Sequence, residues 1–185
     1  MNRAVFLDRD GVINRAVLRD GRPFPPASAH AVEWLPRVAE ALRALRGAGF
    51  RIIVVTNQPD VGRGTQSRDA VEAIHQELLR RFPIDEIKVC YHTDEDGCEC
   101  RKPRPGMLLE AARAWGVDLR QSVMIGDRWR DIEAGKAAGC KTILIAQKYA
   151  ERKAEQPDAV VESLAEASAL ICATWRDRQP TEVGP

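Results

Sequence analysis

Two carboxylates one residue apart stand near the start of the chain, in Asp8-Arg9-Asp10-Gly11, directly after the apolar run Ala4-Val5-Phe6-Leu7. At the exit of a buried strand such a pair could share a magnesium ion and a phosphate ester, one attacking phosphorus while the other handles the proton. Alone the pattern is weak, since Asp-x-Asp occurs by chance about once in a chain of this size. Three more polar clusters follow: Thr56-Asn57-Gln58, Arg101-Lys102-Pro103, and Gly126-Asp127 with Asp131 four residues on. Each has a plainer reading by itself. Asp10-Gly11 suits a turn, Thr56-Asn57 strand-end hydrogen bonding, and Asp131 the first turn of a helix. Their coincidence behind successive strands is what points to phosphoryl transfer.

A second cluster has the chemistry of a metal site. Cys90, His92, Cys98 and Cys100 place three thiols and an imidazole within eleven residues. Soft sulfur plus one imidazole, four ligands in all, is the donor set of a closed tetrahedral structural zinc. Such a zinc has no open position for chemistry. Its job would be to pin the loop so that Arg101 and Lys102 face a phosphate. The plainer reading is a set of reduced cysteines without metal. Cys140 and Cys172 lie in apolar surroundings and read as small core residues.

Short β-branched runs alternating with helical patterns predict a doubly wound, mostly parallel α/β sheet. Strands are expected at Arg3–Leu7, Arg51–Thr56, Glu86–Tyr91, Ser122–Ile125, Lys141–Ile145 and Ala159–Val161. Helices are expected at Val32–Arg46, Ser67–Arg81, Gly106–Trp115, Trp129–Ala138 and Ser163–Trp175. Arg15–His30, with Pro23, Pro25 and Pro26, reads as a loop, and no gap near the second strand is long enough for an inserted cap. Residues 1–175 are expected to form one domain and 176–185 a disordered tail. Ligands of such sheets sit at the carboxyl ends of the strands, where the strand order reverses.

Composition narrows the partners. With 28 basic and 27 acidic residues in 185, the charge gives no nucleic-acid or membrane footprint. The chain opens on a charged residue and a short strand, with no signal peptide and no run of transmembrane length. Five cysteines, three of them crowded together, fit a reducing compartment, and the cytoplasm is the expected location. Nothing marks an oligomer, so a monomer is the default.

The ordered set Asp8-x-Asp10-Gly11, Thr56-Asn57-Gln58, Lys102-Pro103 and Gly126-Asp127-x-x-x-Asp131 resembles the four-motif signature of haloacid dehalogenase superfamily phosphatases. The resemblance implies Asp8 as nucleophile, forming an aspartyl-phosphate, and Asp10 as the acid and base that serves both half-reactions. It implies Mg²⁺ held by Asp8, the Asp10 backbone carbonyl and Asp127, with Asp131 orienting a water on the cation or Lys102. Thr56 and Lys102 would bind the transferring phosphoryl oxygens.

The zinc loop running into Arg101-Lys102-Pro103 and the opening Asp-Arg-Asp-Gly-Val-Ile-Asn resemble a narrower subfamily of heptose-bisphosphate and histidinol-phosphate phosphatases. That likeness implies a small phosphorylated sugar as substrate, in the precursor pathway of lipopolysaccharide or capsule, with histidinol phosphate or another small phosphomonoester as the alternative. It makes Asn14, Asn57, Gln58, Arg63, Arg101 and Arg128 the substrate-binding candidates. Arg101 and Arg128 would suit the second anionic group of a bisphosphate. The chain departs from the subfamily at Pro59-Asp60-Val61, usually Ser-Gly-Ile, and at Thr93, usually a second histidine. Both changes bear on substrate preference.

Overall fold

The computed structural model describes residues 2–174. Six strands form one sheet: β1 (Arg3–Leu7), β4 (Phe50–Asn57), β5 (Glu86–Cys90), β6 (Val123–Gly126), β7 (Lys141–Ile145) and β8 (Ala159–Val161). Their order is β5-β4-β1-β6-β7-β8, with every neighbouring pair parallel. The order therefore reverses at β1, whose register sets Leu7 beside Val54 on one side and Ile125 on the other. This is the expected doubly wound sheet, and its switch point delivers Asp8.

Alternation along buried strands decides which helix covers which face. Val5, Leu7, Ile52 and Val54 pack with Leu42 and Leu45 of α1 (Val38–Gly47), Ile74 and Leu78 of α3 (Arg68–Arg81) and Ile171 of α6 (Leu164–Thr174). Ala4, Phe6, Ile53 and Val55 pack instead with Met107 and Leu108 of α4 (Gly106–Trp115) and Ala134 of α5 (Trp129–Ala138). No helix among the described residues is long and apolar enough to cross a membrane.

Three expectations need correction. Helix α1 begins at Val38, not Val32. Pro36 disfavours helical backbone at Leu35, and the preceding segment is extended instead, with Leu35 N donating to Ile13 O at 3.0 Å and Arg15 N to Glu33 O at 2.8 Å. The loop expected over Arg15–His30 contains an antiparallel hairpin, β2 (Val17–Arg19) and β3 (Arg22–Phe24). Its two-residue turn, Asp20-Gly21, has φ +50° and +72°, the left-handed pair that Asp-Gly supplies. Pro23 is tolerated because the hairpin is all edge. Cys172 is only half-buried, whereas Cys140 is buried as expected. A four-residue helix, α2 (Pro59–Gly62), was not anticipated; Pro59 opens it, where a missing N–H costs nothing. Trp175 and the expected tail at 176–185 lie outside the described residues.

Candidate active site

Asp8 leaves β1 with its N–H donating to Ile125 O at 3.0 Å, which fixes the carboxylate at the carboxyl edge of the sheet. The chain then turns tightly, Arg9 O accepting from Ile13 N at 2.9 Å. Gly11 is required here twice over. Its φ is +89°, and a Cβ would lie 1.7 Å from Asp127 Oδ2.

Lys102 is the centre of the site. Its ammonium, 2 % exposed, donates to Asp8 Oδ1 at 2.9 Å and Val55 O at 2.7 Å and pairs with Asp131 Oδ1 at 2.6 Å. Burial pulls its pKa down, but Asp131 and Asp8 more than offset this and hold it above the usual lysine value. Asn57 locks the lysine backbone, donating from Nδ2 to Lys102 O at 2.9 Å and accepting from Lys102 N at 3.1 Å.

Oxygens of Asp8, Asp127 and Asp131 lie within 4.8 Å of one another, all buried. Burial, then the charges of Asp131 and Asp10, push the Asp8 pKa up to about 6 against the pull of Lys102. Asp127 is raised well above the carboxylate range by burial and by Asp8 and Asp131. Its Oδ2 accepts from Tyr149 Oη at 2.6 Å, while Oδ1 is buried with no partner among the described residues. Three crowded carboxylates with one orphaned oxygen suit a hard divalent cation, which takes oxygen ligands and relieves their repulsion. Asp131 does a second job, its Oδ2 accepting from Arg128 N at 3.0 Å to cap α5.

Asp10 sits outside that cluster. Arg9 Nη2 donates to Asp10 Oδ2 at 2.9 Å, as does Gln58 Nε2, and Asn14 Nδ2 donates to Oδ1 at 2.8 Å. Burial raises its pKa, yet Arg9, Asn14 and Gln58 together hold it below the usual value. Asn14 and Gln58, expected to touch substrate, are thus fully buried and serve Asp10. The Thr56 hydroxyl is buried too and accepts from Gln58 Nε2 at 2.9 Å.

Arg9 has no exposed surface and completes a chain of polar contacts. Its Nη1 donates to His75 Nε2 at 3.0 Å, so the ring proton is on Nδ1, 3.7 Å from Glu72 Oε2. Glu72 also accepts from the hydroxyl of Tyr91, which lies between two residues of the cysteine loop. Burial, then the charge of Arg9, hold the His75 pKa down at about 4, below the ordinary 6.5. The unfolded chain takes up that proton below about pH 6.5 and the folded one does not. The stabilisation from neutral His75 is therefore complete above pH 6.5 and lost as pH falls toward 4, on the order of 3 kcal/mol at most. We expect the stability difference between wild type and His75→Gln, from urea unfolding, to shift in favour of wild type as the pH rises from about 4 to 6.5. A pH-independent difference would contradict it.

Asp8, Asp10, Asn57, Lys102 and Asp131 open onto a cavity of about 440 Å³, also lined by Arg22, Phe24, Asp60, Arg63, Arg101, Arg128 and Glu151. Arg63 Nη1 pairs with Asp60 at 3.1 Å, Arg101 Nε with Asp94 at 2.9 Å, and Arg128 with Glu151. Asp94 also binds Arg130 at 3.1 Å, tying the cysteine loop to α5.

In the cysteine loop, sulfurs of Cys90, Cys98 and Cys100 stand 3.2–3.7 Å apart, with His92 Nδ1 at 3.3 and 3.6 Å from two of them. Four ligands at Zn–S distances near 2.3 Å would space sulfurs by roughly 3.7 Å, so the loop holds these side chains at nearly the tetrahedral spacing.

Sequence reasoning missed Arg9, His75, Tyr149 and Glu151. The last two follow β7, a fifth strand ending at this edge, so the strand-end rule applied there would have found them. Arg9 and His75 carried no such signal, because nothing local says that an arginine between two aspartates points inward.

A family model described as HAD-hydrolase-like matches residues 99–167. The chain is 40% identical over 148 residues to a D-glycero-β-D-manno-heptose-1,7-bisphosphate 7-phosphatase of Rhodopseudomonas palustris, covering 74% of this chain and 79% of that protein. It is 39% identical to the D-glycero-α-D-manno-heptose-1,7-bisphosphate 7-phosphatase of Burkholderia mallei, over 86% of this chain and 88% of that one. The crystal structure of D,D-heptose 1,7-bisphosphate phosphatase from B. bronchiseptica, complexed with magnesium and phosphate, superposes with a TM-score of 0.79. It is 31% identical and covers 92% of this chain and 98% of that one. With two relatives this similar along most of their length, and a solved relative of the same fold, the chain belongs to the heptose-bisphosphate phosphatase family of haloacid dehalogenase-like hydrolases.

Proposed function

We propose that this enzyme removes the 7-phosphate of D-glycero-D-manno-heptose 1,7-bisphosphate through an aspartyl-phosphate on Asp8. The observation that carries the reading is the Lys102 ammonium bridging Asp8 and Asp131 beside the buried Asp127, at the floor of a cavity walled by arginines.

The Asp8 carboxylate attacks phosphorus while the ester P–O bond breaks, and the leaving alkoxide takes a proton from Asp10. Water then attacks the aspartyl-phosphate, giving its proton back to Asp10 and freeing Asp8. Splitting the displacement this way replaces one hard step by two easier ones. The lowered pKa of Asp10 keeps it ionised before substrate binds; the approaching phosphate raises it and so favours the protonated form that the first step needs. Lys102 stabilises the charge that develops on the phosphoryl oxygens. Mg²⁺, held by Asp8, Asp127 and the Asp10 carbonyl, would offset the repulsion between carboxylate and phosphate.

We assign zinc to Cys90, His92, Cys98 and Cys100 and give it a structural role. Thiolate ligation calls for a reducing compartment, which favours the cytoplasm, and we take the enzyme to act as a monomer. Cys98→Ser should release zinc and cost activity by loosening the loop that carries Lys102, measured as metal content against turnover. Full activity in a demonstrably zinc-free variant would sink the assignment.

A phosphate-release screen with the α and β anomers of heptose 1,7-bisphosphate and with histidinol phosphate tests the substrate. One phosphate should leave a heptose bisphosphate, at a kcat/KM well above that for histidinol phosphate. The opposite order overturns the reading. The same screen fixes the anomer.

A further inference from the structure

Cations on the cavity wall are not equivalent. Arg63, Arg101, Arg128 and Arg130 each pair with a carboxylate, and Lys102 is committed to Asp8 and Asp131. A second phosphate binding to Arg63 or Arg128 must compete with Asp60 or Glu151; Arg101 keeps Nη1 without a partner among the described residues, but its Nε and Nη2 both donate to Asp94, whose charge opposes an incoming anion. Arg22 is different. It lines the same cavity from the first position of β3, is exposed, and its side chain has no ion pair or hydrogen bond among the described residues.

Its surroundings are unbalanced as well. The residue directly opposite Arg22 in the hairpin register is Arg19. Like charges facing each other across two strands are destabilising, and an anion seated there relieves the repulsion. The guanidinium of Arg19 lies over the Phe24 ring, 5.1 Å from its centre, which gives that arginine a place of its own. The hairpin is also fastened to the site. Ala150 N donates to Gly21 O at 2.8 Å, and a Cβ on Gly21 would meet Ala150 Cβ at 3.0 Å. Ala150 and Glu151, which directly follow the Tyr149 that holds Asp127, line the cavity too. Pro23 within β3 and Pro25 directly after it stiffen the segment that presents Arg22.

We propose that the β2–β3 hairpin is the recognition element for the second, non-reacting phosphate of the substrate, with Arg22 as its charged contact. This rests on the sugar-bisphosphate reading above. The guanidinium fork can bind two phosphate oxygens at once. Because that phosphate does not react, the contact acts equally on ground and transition states and is felt in KM, with little effect on kcat.

The test is steady-state kinetics of wild type, Arg22→Gln, Arg22→Lys and Arg19→Gln on heptose 1,7-bisphosphate and on heptose 7-phosphate, with inhibition by the product heptose 1-phosphate. Arg22→Gln should raise KM for the bisphosphate about tenfold and weaken product inhibition by the same factor. It should leave KM for the 7-phosphate in place, so that the preference for the bisphosphate collapses. Arg22→Lys should recover part of it. The proposal is overturned if KM rises equally for both substrates, if it does not rise, or if Arg19→Gln does the same. Failure of wild type to hydrolyse the bisphosphate would instead remove the substrate reading, and this one with it.

Discussion

Asp8→Asn should yield a folded protein that releases no phosphate, with turnover down by at least about 10⁴-fold. The amide is isosteric and keeps a hydrogen-bonding oxygen near Lys102, but it has no anionic oxygen to attack phosphorus. Stability should hold or improve. The Asp8 carboxylate is buried beside Asp131 and Asp10, and its pKa is pushed up to about 6, so its charged form is disfavoured in the fold. Lys102 keeps Asp131 and Val55 O as partners. Phosphate release and thermal unfolding, measured on the same preparation, check both halves. Appreciable turnover would refute attack by Asp8.

Lys102→Met should show the opposite division, with activity and stability lost together. The methionine nearly matches the lysine stem in volume, so what disappears is the ammonium between Asp8 and Asp131. Breaking a buried ion pair from one side costs about 3–5 kcal/mol, because the remaining charge is left uncompensated. The developing phosphoryl charge loses its fixed cation, worth about 10²–10³-fold in rate on the scale of a single oxyanion donor. The pH dependence has a definite sign. Carboxylates without their cation have folded pKa values raised above the unfolded ones, so they favour the fold at low pH and lose that contribution as pH rises. The deficit against wild type, from urea unfolding in chelator, should therefore shrink as the pH is lowered. A deficit that grew toward acid would mean that Lys102 is not the counter-charge of this cluster.

The chain's own pattern made the sheet legible because strands buried on both faces read as continuous apolar runs, and β1, β4 and β6 lead directly into polar residues that are costly to bury. Asp8, Thr56 and Asp127 were visible for that reason. Cys90 to Cys100 were visible because thiols and imidazole have few other reasons to cluster. What sequence could not show is direction. Asn14 and Gln58 look like residues that reach for a ligand, yet both turn inward to Asp10, and Arg9 is buried outright. The hairpin was hidden by its prolines, although Asp20-Gly21 carried the turn signal that makes it. Helix α1 is shorter than its apolar spacing predicts, because Leu35 keeps helical spacing while Pro36 and a hydrogen bond to Ile13 hold it extended. In each case a tertiary partner distant in sequence outweighed the local pattern.

In this mechanism phosphate passes through a covalent bond to Asp8. Rapid quenching during turnover of heptose 1,7-bisphosphate, followed by borohydride reduction and peptide mass spectrometry, reads this directly, since an acyl phosphate is reduced to an alcohol. Trapped homoserine at the site of Asp8, absent without substrate, is the expected result. Trapping at another carboxylate such as Asp10 or Asp127, or turnover with no trapped species, would contradict it.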